Sequence, residues 1–391
     1  MDSNTRRTLI RLGAAYALAW ATTSMGAGPG SAALVTLSGK LSWAGMYVAI
    51  FNIGAAAGAA LGGRSMDRFG RKPPLVFGYL LGAAGYFVAG VGVQASSLPT
   101  FVVGGLMLAA AFGIANLSRL AVAEMFPPAE RGRGVAWIQI AAIFGAIAGP
   151  LILIASEPIG RAIGWQPLGV IWFFAPPLLL LSAFIASRTV EPGTLAYRAP
   201  VITPPREPLR QSRVIAAGTV SVAASQSAMA AVMGIGGAAV AHAGHGVPVL
   251  GTIMLLHFIG MFGLSRVVGR VADRVGRVQT ILTGLALLAT GGAVIGFIHG
   301  MPAFGIGLLL VGFGWSFSFI GSTVLLTDSA APERRARTLG RADLSGQLSA
   351  AAIATAGGYW FASRGAAGLG ILAIVVALLP VFFLARLAPH R

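Results

Sequence analysis

The chain of 391 residues contains no cysteine, which excludes a disulfide framework, an iron–sulfur centre and any thiolate metal site. It is also poor in charge, with 10% charged residues and only 11 acidic residues against 28 lysines and arginines. No acidic residue falls near the middle of an apolar run; Glu124, Asp328 and Asp343 lie close to the ends of theirs. A cationic-drug antiporter would usually want a central carboxylate, and a polyanionic cargo would want several central cations. Neither is supplied. No nucleophile–base pair, nucleotide loop or soluble domain is legible either, so an enzyme or a receptor is not expected.

What the chain has in abundance is apolar length. Hydrophobic residues make up 56% of it and 55 residues are glycine, with a mean hydropathy of +0.81, a composition that belongs in a lipid bilayer. Runs of roughly 20 residues, enough to cross about 30 Å of hydrocarbon, can be drawn twelve times: 10–36, 41–62, 74–94, 99–124, 134–156, 166–187, 214–241, 247–268, 278–298, 302–327, 339–362 and 366–387. The expected fold is an all-α membrane protein of twelve transmembrane helices in two six-helix halves, 1–187 and 214–391. Between them lies the polar, Pro- and Arg-rich segment 188–213. The N-terminal basic residues precede an apolar stretch with no small-residue cleavage site, which reads as an uncleaved first span.

A net charge of +17 would suggest nucleic acid in a soluble protein, but the basic residues lie between the apolar runs. Both termini and the loops after every second run hold 24 of the 28 lysines and arginines. The positive-inside rule then places both termini in the cytoplasm of a multi-pass protein in a bacterial inner membrane. No nucleic-acid partner is expected, and the chain is expected to act as a monomer.

The two halves repeat a motif. After the second run comes GRSMDRFGRK, with Gly63, Asp67, Arg68, Gly70 and Arg71; after the eighth comes GRVADRVGR, with Gly269, Asp273, Arg274, Gly276 and Arg277, in register 206 residues later. A second echo links PAERGR (Glu130) to PERRAR (Glu333). Repeated loop chemistry in two halves indicates internal duplication. Asp67 and Asp273 are placed to face positive helix N-termini. With the six-plus-six pattern, these motifs resemble the major facilitator superfamily over the whole chain. That resemblance implies a secondary carrier working by alternating access, with the repeated Gly, Asp and Arg positions as its cytoplasmic gate.

Cargo has to be sought among polar and soft side chains within the runs. Met229 and Met233 stand at i,i+4 in the seventh run. Met254, His257 and Met261 fall within roughly 60° of one helix face in the eighth, and His242 and His245 lie in the connection. Thioethers and imidazole suit Cu(I). Yet methionine is also a common gap filler, the connection histidines fit a solvated loop, and a midspan imidazole serves equally as a proton carrier or a donor to an organic substrate. Arg119, within the fourth run, reads as a structural partner of nearby acids or, with Glu124, Asp328 and Asp343, as a coupling candidate.

MxxxM followed by HxxxM, namely Met229, Met233, His257 and Met261, resembles the CcoA-type copper importers of the same superfamily. The resemblance implies that these four residues bind the metal; His242 and His245, on the outer side between the two runs, and Met254 are candidates to collect it. Copper is then the transported substrate rather than a prosthetic group, delivered to a cytoplasmic acceptor for assembly of haem–copper oxidases. Members of that branch tend to have membrane cysteines, which this chain lacks, so a thiol relay is excluded. Two other cargoes stay open. Proton-coupled efflux of small amphipathic compounds fits the aromatics Trp43, Tyr47, Phe51, Trp137 and Trp315, and import of an organic nutrient such as riboflavin would use them for stacking.

Overall fold

In hydrocarbon no water is available to a backbone N–H or C=O, so each crossing segment must satisfy its own hydrogen bonds and coil into a helix. The computed structural model describes residues 3–126, 131–165, 167–195, 209–331 and 334–385, and among these every regular element is helical. The helices are α1 (Ser3–Ser38), α2 (Met46–Phe69), α3 (Lys72–Gln94), α4 (Leu98–Asn116), α5 (Ser118–Glu124), α6 (Arg131–Ala162), α7 (Pro167–Ser187), α8 (Leu209–His242), α9 (Val247–Phe262), α10 (Ser265–Val275), α11 (Arg277–Phe297), α12 (Met301–Ser329) and α13 (Arg335–Ala385).

Ten segments of the described chain are long and apolar enough to cross a membrane, against twelve expected. The expected run 339–362 and, of the run 366–387, residues 366–385 fall within α13, which kinks at Gly365 (φ 59°, ψ −148°) and counts as one segment, Arg337–Ala385. The run 10–36 lies within α1, which is not among the ten. Residues 196–208 of the expected linker, together with Glu130 and Glu333, lie outside the described residues.

The chain forms two compact units. The first comprises Met1–Ser38, Ile50–Pro200 and Gly246–Thr252; the second comprises Gly39–Ala49, Val201–His245 and Ile253–Arg391. Within the first, glycine lets α2 and α4 touch: a Cβ on Gly58 would strike the Ala110 backbone and one on Gly113 would strike that of Ala55. Within the second, α9 and α12 meet backbone to backbone, where a Cβ on Gly260 would come within 2.5 Å of the Leu309 carbonyl and one on Gly312 would strike the His257 carbonyl. Such close approach is how helices associate in lipid, where burial of apolar area provides no net drive.

The repeated motif is more helical than its loop assignment suggested. Gly63, Asp67 and Arg68 occupy the last turns of α2, which ends only at Phe69, and Gly269, Asp273 and Arg274 occupy α10. The turns themselves are confined to Gly70 (φ 84°) and Gly276 (φ 108°), left-handed positions that favour glycine. The two copies differ above the turn, since α2 is continuous whereas the eighth run breaks at Gly263–Leu264 into α9 and α10.

Candidate functional site

Each copy of the motif builds a latch at a helix start. In the first unit, the Arg71 guanidinium donates to both carboxylate oxygens of Glu124, from Nε at 2.8 Å and Nη2 at 2.9 Å, and from Nη1 to the Met66 carbonyl at 3.0 Å. The hydrogen bond with Glu124 pushes the Arg71 pKa upward against the opposing effect of burial, with Glu124, Asp67 and Glu191 adding their charges. In the second unit, Arg277 donates from Nε to Asp328 at 2.9 Å and from Nη1 to the Ala272 carbonyl at 3.0 Å. Glu124 closes α5 and Asp328 lies near the end of α12, so the duplication extends to the partners of both arginines.

Asp67 and Asp273 play a smaller part than expected. Both are largely exposed (81% and 70%) and reach only the arginine four residues on, at 4.0 Å and 3.3 Å. The carboxylate that meets a helix N-terminus is instead Glu191, which accepts from the backbone N–H of Arg71 at 2.6 Å and of Lys72 at 3.1 Å, where α3 begins. Glu191 reaches that N-terminus because Gly70 has no side chain; a Cβ there would lie 3.0 Å from the Glu191 carboxyl carbon. Arg68 and Arg274 are exposed, Arg68 lying 5.1 Å from the Phe69 ring centroid. A Cβ on Gly63 or Gly269 would meet nothing within 4 Å.

The expected metal ligands have mixed surroundings. His257 is fully buried; its Nδ1 is 2.8 Å from the Leu308 carbonyl of α12, and its Nε2 is buried without a hydrogen-bond partner. Met254 and Met261 are buried on the same helix. The Met254 methyl lies against α8, 3.3 Å from where a Cβ on Gly236 would stand, while His257 is the residue bonded to α12. Met229 and Met233 are half-buried in α8. Among the described residues no group of three or more His, Asp or Glu side chains gathers. His242 ends α8 and is exposed, its ring 6.4 Å edge-on from Phe361. His245 is exposed after the turn at Gly244, its backbone N–H closing onto the Val240 carbonyl at 3.1 Å. Asp343 is half-buried in α13.

Several polar contacts inside the spans escaped the sequence reading, although Gln and Asn in an apolar run are themselves a signal. In the second unit, Trp315 Nε1 donates to Gln226 Oε1 at 2.5 Å. The Trp315 ring stacks on Phe319 (4.7 Å, 10°) and meets Phe262 edge-on (6.0 Å), which in turn stacks on Phe258. In the first unit, the Tyr16 hydroxyl donates to Asn116 Oδ1 at 2.6 Å, and Arg119 donates from Nε to the Asn116 carbonyl at 3.3 Å. Glu124 is bridged by Arg71, and among the described residues no ion pair joins it to Arg119. Glu157, also overlooked, is buried on α6 and paired with the exposed Arg161.

Comparison with known proteins fits this duplicated helical architecture. The chain matches the model of the Major Facilitator Superfamily over residues 12–241 and again over 215–391. It is 26% identical to the uncharacterized MFS-type transporter YdeG of Bacillus subtilis, over 96% of this chain and 90% of that one. It is 28% identical to the riboflavin transporter RfnT of Brucella anthropi, over 86% and 85%. Its fold superposes on the xylose transporter XylE of E. coli, in a partially occluded inward-open conformation, with a TM-score of 0.70 at 17% identity and 97% coverage of both chains. The chain therefore belongs to the major facilitator superfamily and is a secondary transporter.

Proposed function

We propose that this transporter carries a planar, nitrogen-rich organic nutrient of the flavin class inward across a bacterial plasma membrane. One observation carries the reading. In the second unit an amide and an indole are hydrogen-bonded to each other inside the membrane, Gln226 to Trp315, beside the rings of Phe319 and Phe262. Aromatic faces with one fixed amide suit a flat, uncharged, hydrogen-bonding ring system and hold no charge that would have to be neutralised. The likeness to a protein named as a riboflavin transporter over 86% of the chain supports the same class.

The latches fit the mechanism. Arg71 with Glu124 and Glu191, and Arg277 with Asp328, tie helix ends together inside their own units, so each unit moves as a block while the carrier alternates. Asp67 and Asp273 act as exposed supports of those arginines. Both termini face the cytoplasm in this reading, as the basic residues require.

Copper import remains a second reading, favoured by one feature. An imidazole oriented by a backbone carbonyl through one nitrogen, with the other unpartnered, is arranged as metal-binding histidines are, and His257 is arranged so. Met261, Met229 and Met233 would complete the set, with Met254, His242 and His245 as outer sites. Purified protein in proteoliposomes separates the two readings. Labelled riboflavin is expected to enter parent vesicles and to enter poorly through Gln226→Leu, while Cu(I) supplied under reducing conditions enters no faster than through empty vesicles. Copper entry that His257→Ala abolishes, with no riboflavin entry, would reverse the order.

A further inference from the structure

Arg119 has a surrounding that the latches and the aromatic stack leave unexplained. It lies in α5 within the span Leu98–Glu124, half-buried. Among the described residues it makes one hydrogen bond, to the Asn116 carbonyl, and no ion pair. One carbonyl leaves most of the five guanidinium N–H donors of a residue within a span to be satisfied by water or by a further acceptor. The helix break at Leu117, between α4 and α5, puts Asn116 and Arg119 on either side of a bend. Tyr16 of α1 donates its hydroxyl to Asn116 Oδ1 at 2.6 Å and lies within the electrostatic reach of Arg119.

Two features lie near this group. Three half-buried rings converge from α1, α2 and α4: Phe112 packs edge-on to Trp20 (5.4 Å, 77°) and tilted against Phe51 (5.2 Å, 43°). Beside them a recess of about 20 Å3, lined by Thr22, Thr23, Tyr79, Phe112 and Ala115 among others, has room for about one water molecule. The recess reaches Ala115, next to Asn116. All of these residues belong to the first unit.

We infer that Tyr16, Asn116 and Arg119, with Trp20, Phe51 and Phe112, form a binding site for the hydrogen-bond-accepting edge of a planar aromatic solute, either a carboxylate or a pair of ring carbonyls. The polarity follows from the bonds already made. Asn116 uses its carbonyl oxygen on Tyr16, leaving the amide nitrogen to donate, and Arg119 is a donor in every state. Two donors three residues apart select an acceptor edge, and a single arginine suits one negative charge or none. The rings supply the stacking faces. The site rests on the flavin-class reading for which of the two edges is presented, while the donor geometry stands without it.

The test uses the full-length, detergent-purified chain with two probes: riboflavin, followed by quenching of its fluorescence, and 2-naphthoate, followed by protein tryptophan quenching. Arg119→Met is expected to weaken riboflavin binding about tenfold or more, the usual consequence of losing a charged donor, and Phe112→Leu is expected to weaken it by a smaller factor. Arg119→Lys, which keeps the charge and loses the fork, should retain more affinity for 2-naphthoate than for riboflavin; it also stands in if Arg119→Met does not elute as a single folded species. Parent protein that binds 2-naphthoate in an Arg119-dependent way but not riboflavin would keep the site and end the flavin reading. Equal binding of riboflavin by parent and both Arg119 variants would overturn the site and leave the flavin reading intact. Binding of neither probe by the parent would overturn both.

Discussion

The two latches look alike in sequence and should differ in energy, because their exposure differs. Arg71 and Glu124 keep only 22% and 21% of their side-chain surface exposed and form a two-point carboxylate bridge. Arg277 is 31% exposed but its acceptor Asp328 is 52% exposed, open enough for water to screen the pair. Hydrogen bonds to charged groups contribute about 1.5–3 kcal/mol each where partly buried, while exposed ion pairs contribute about 0–1 kcal/mol. A double-mutant cycle of Arg71→Ala with Glu124→Ala should therefore give a coupling of about 2 kcal/mol, and Arg277→Ala with Asp328→Ala less than about 1 kcal/mol. The assay is denaturant unfolding in mixed detergent micelles, read by tryptophan fluorescence for all members of both cycles. Equal couplings, or a larger one in the second unit, would mean that exposure does not set the strength of these pairs. Pairing raises the Arg71 pKa, so the arginine stays charged up to its unfolded-state value and its stabilising contribution fades only above that. The first coupling should accordingly be the same at about pH 7 and about pH 9.

Further outcomes follow from the same geometry. Glu191→Gln removes the negative charge from the start of α3 and should cost about 1 kcal/mol or less at low salt, shrinking as salt is raised; a salt-independent loss would mean that the charge is not what matters. Gly70→Ala should destabilise by about 1–2 kcal/mol, because an alanine at φ 84° is strained and its Cβ meets the Glu191 carboxylate. Gly63→Ala, helical with open space around it, should be neutral or stabilising by up to about 1 kcal/mol, and the pair of melting curves decides. Trp315→Phe keeps a ring but loses the bond to Gln226, so riboflavin uptake should fall less than in Trp315→Ala; equal loss would assign the role to shape alone.

Much of the fold was legible because its signals are local. Apolar runs, alternating basic loops and the Gly-x-x-x-Asp-Arg spacing repeated at Gly63 and Gly269 need no knowledge of neighbours, and they led to the all-helical fold of a membrane transporter. Long-range partners were not legible. Nothing near Arg71 in sequence indicates Glu124 or Glu191, since packing alone brings those acids 53 and 120 residues along the chain to one guanidinium and its backbone. Periodicity grouped Met254 and His257 on one face of α9; His257 bonds to Leu308 of α12 and the Met254 methyl lies near Gly236 of α8. In an apolar helix, however, period cannot distinguish a face lining a passage from one pressed against another helix. Gly260 and Gly312 held that information, as small residues where two backbones touch. Asn116, Gln226 and Glu157 were visible as polar letters in or beside apolar runs, but the partners of Asn116 and Gln226, Tyr16 and Trp315, lie on other helices.

A flat organic ring system as cargo is tested by counterflow. Proteoliposomes loaded with unlabelled riboflavin and diluted into a trace of labelled riboflavin should show a transient internal accumulation of label above equilibrium. That accumulation should be lost in Trp315→Ala and in Arg119→Met. Label that enters no faster than into protein-free vesicles, beside copper that accumulates through the same preparation in a His257-dependent way, would contradict it.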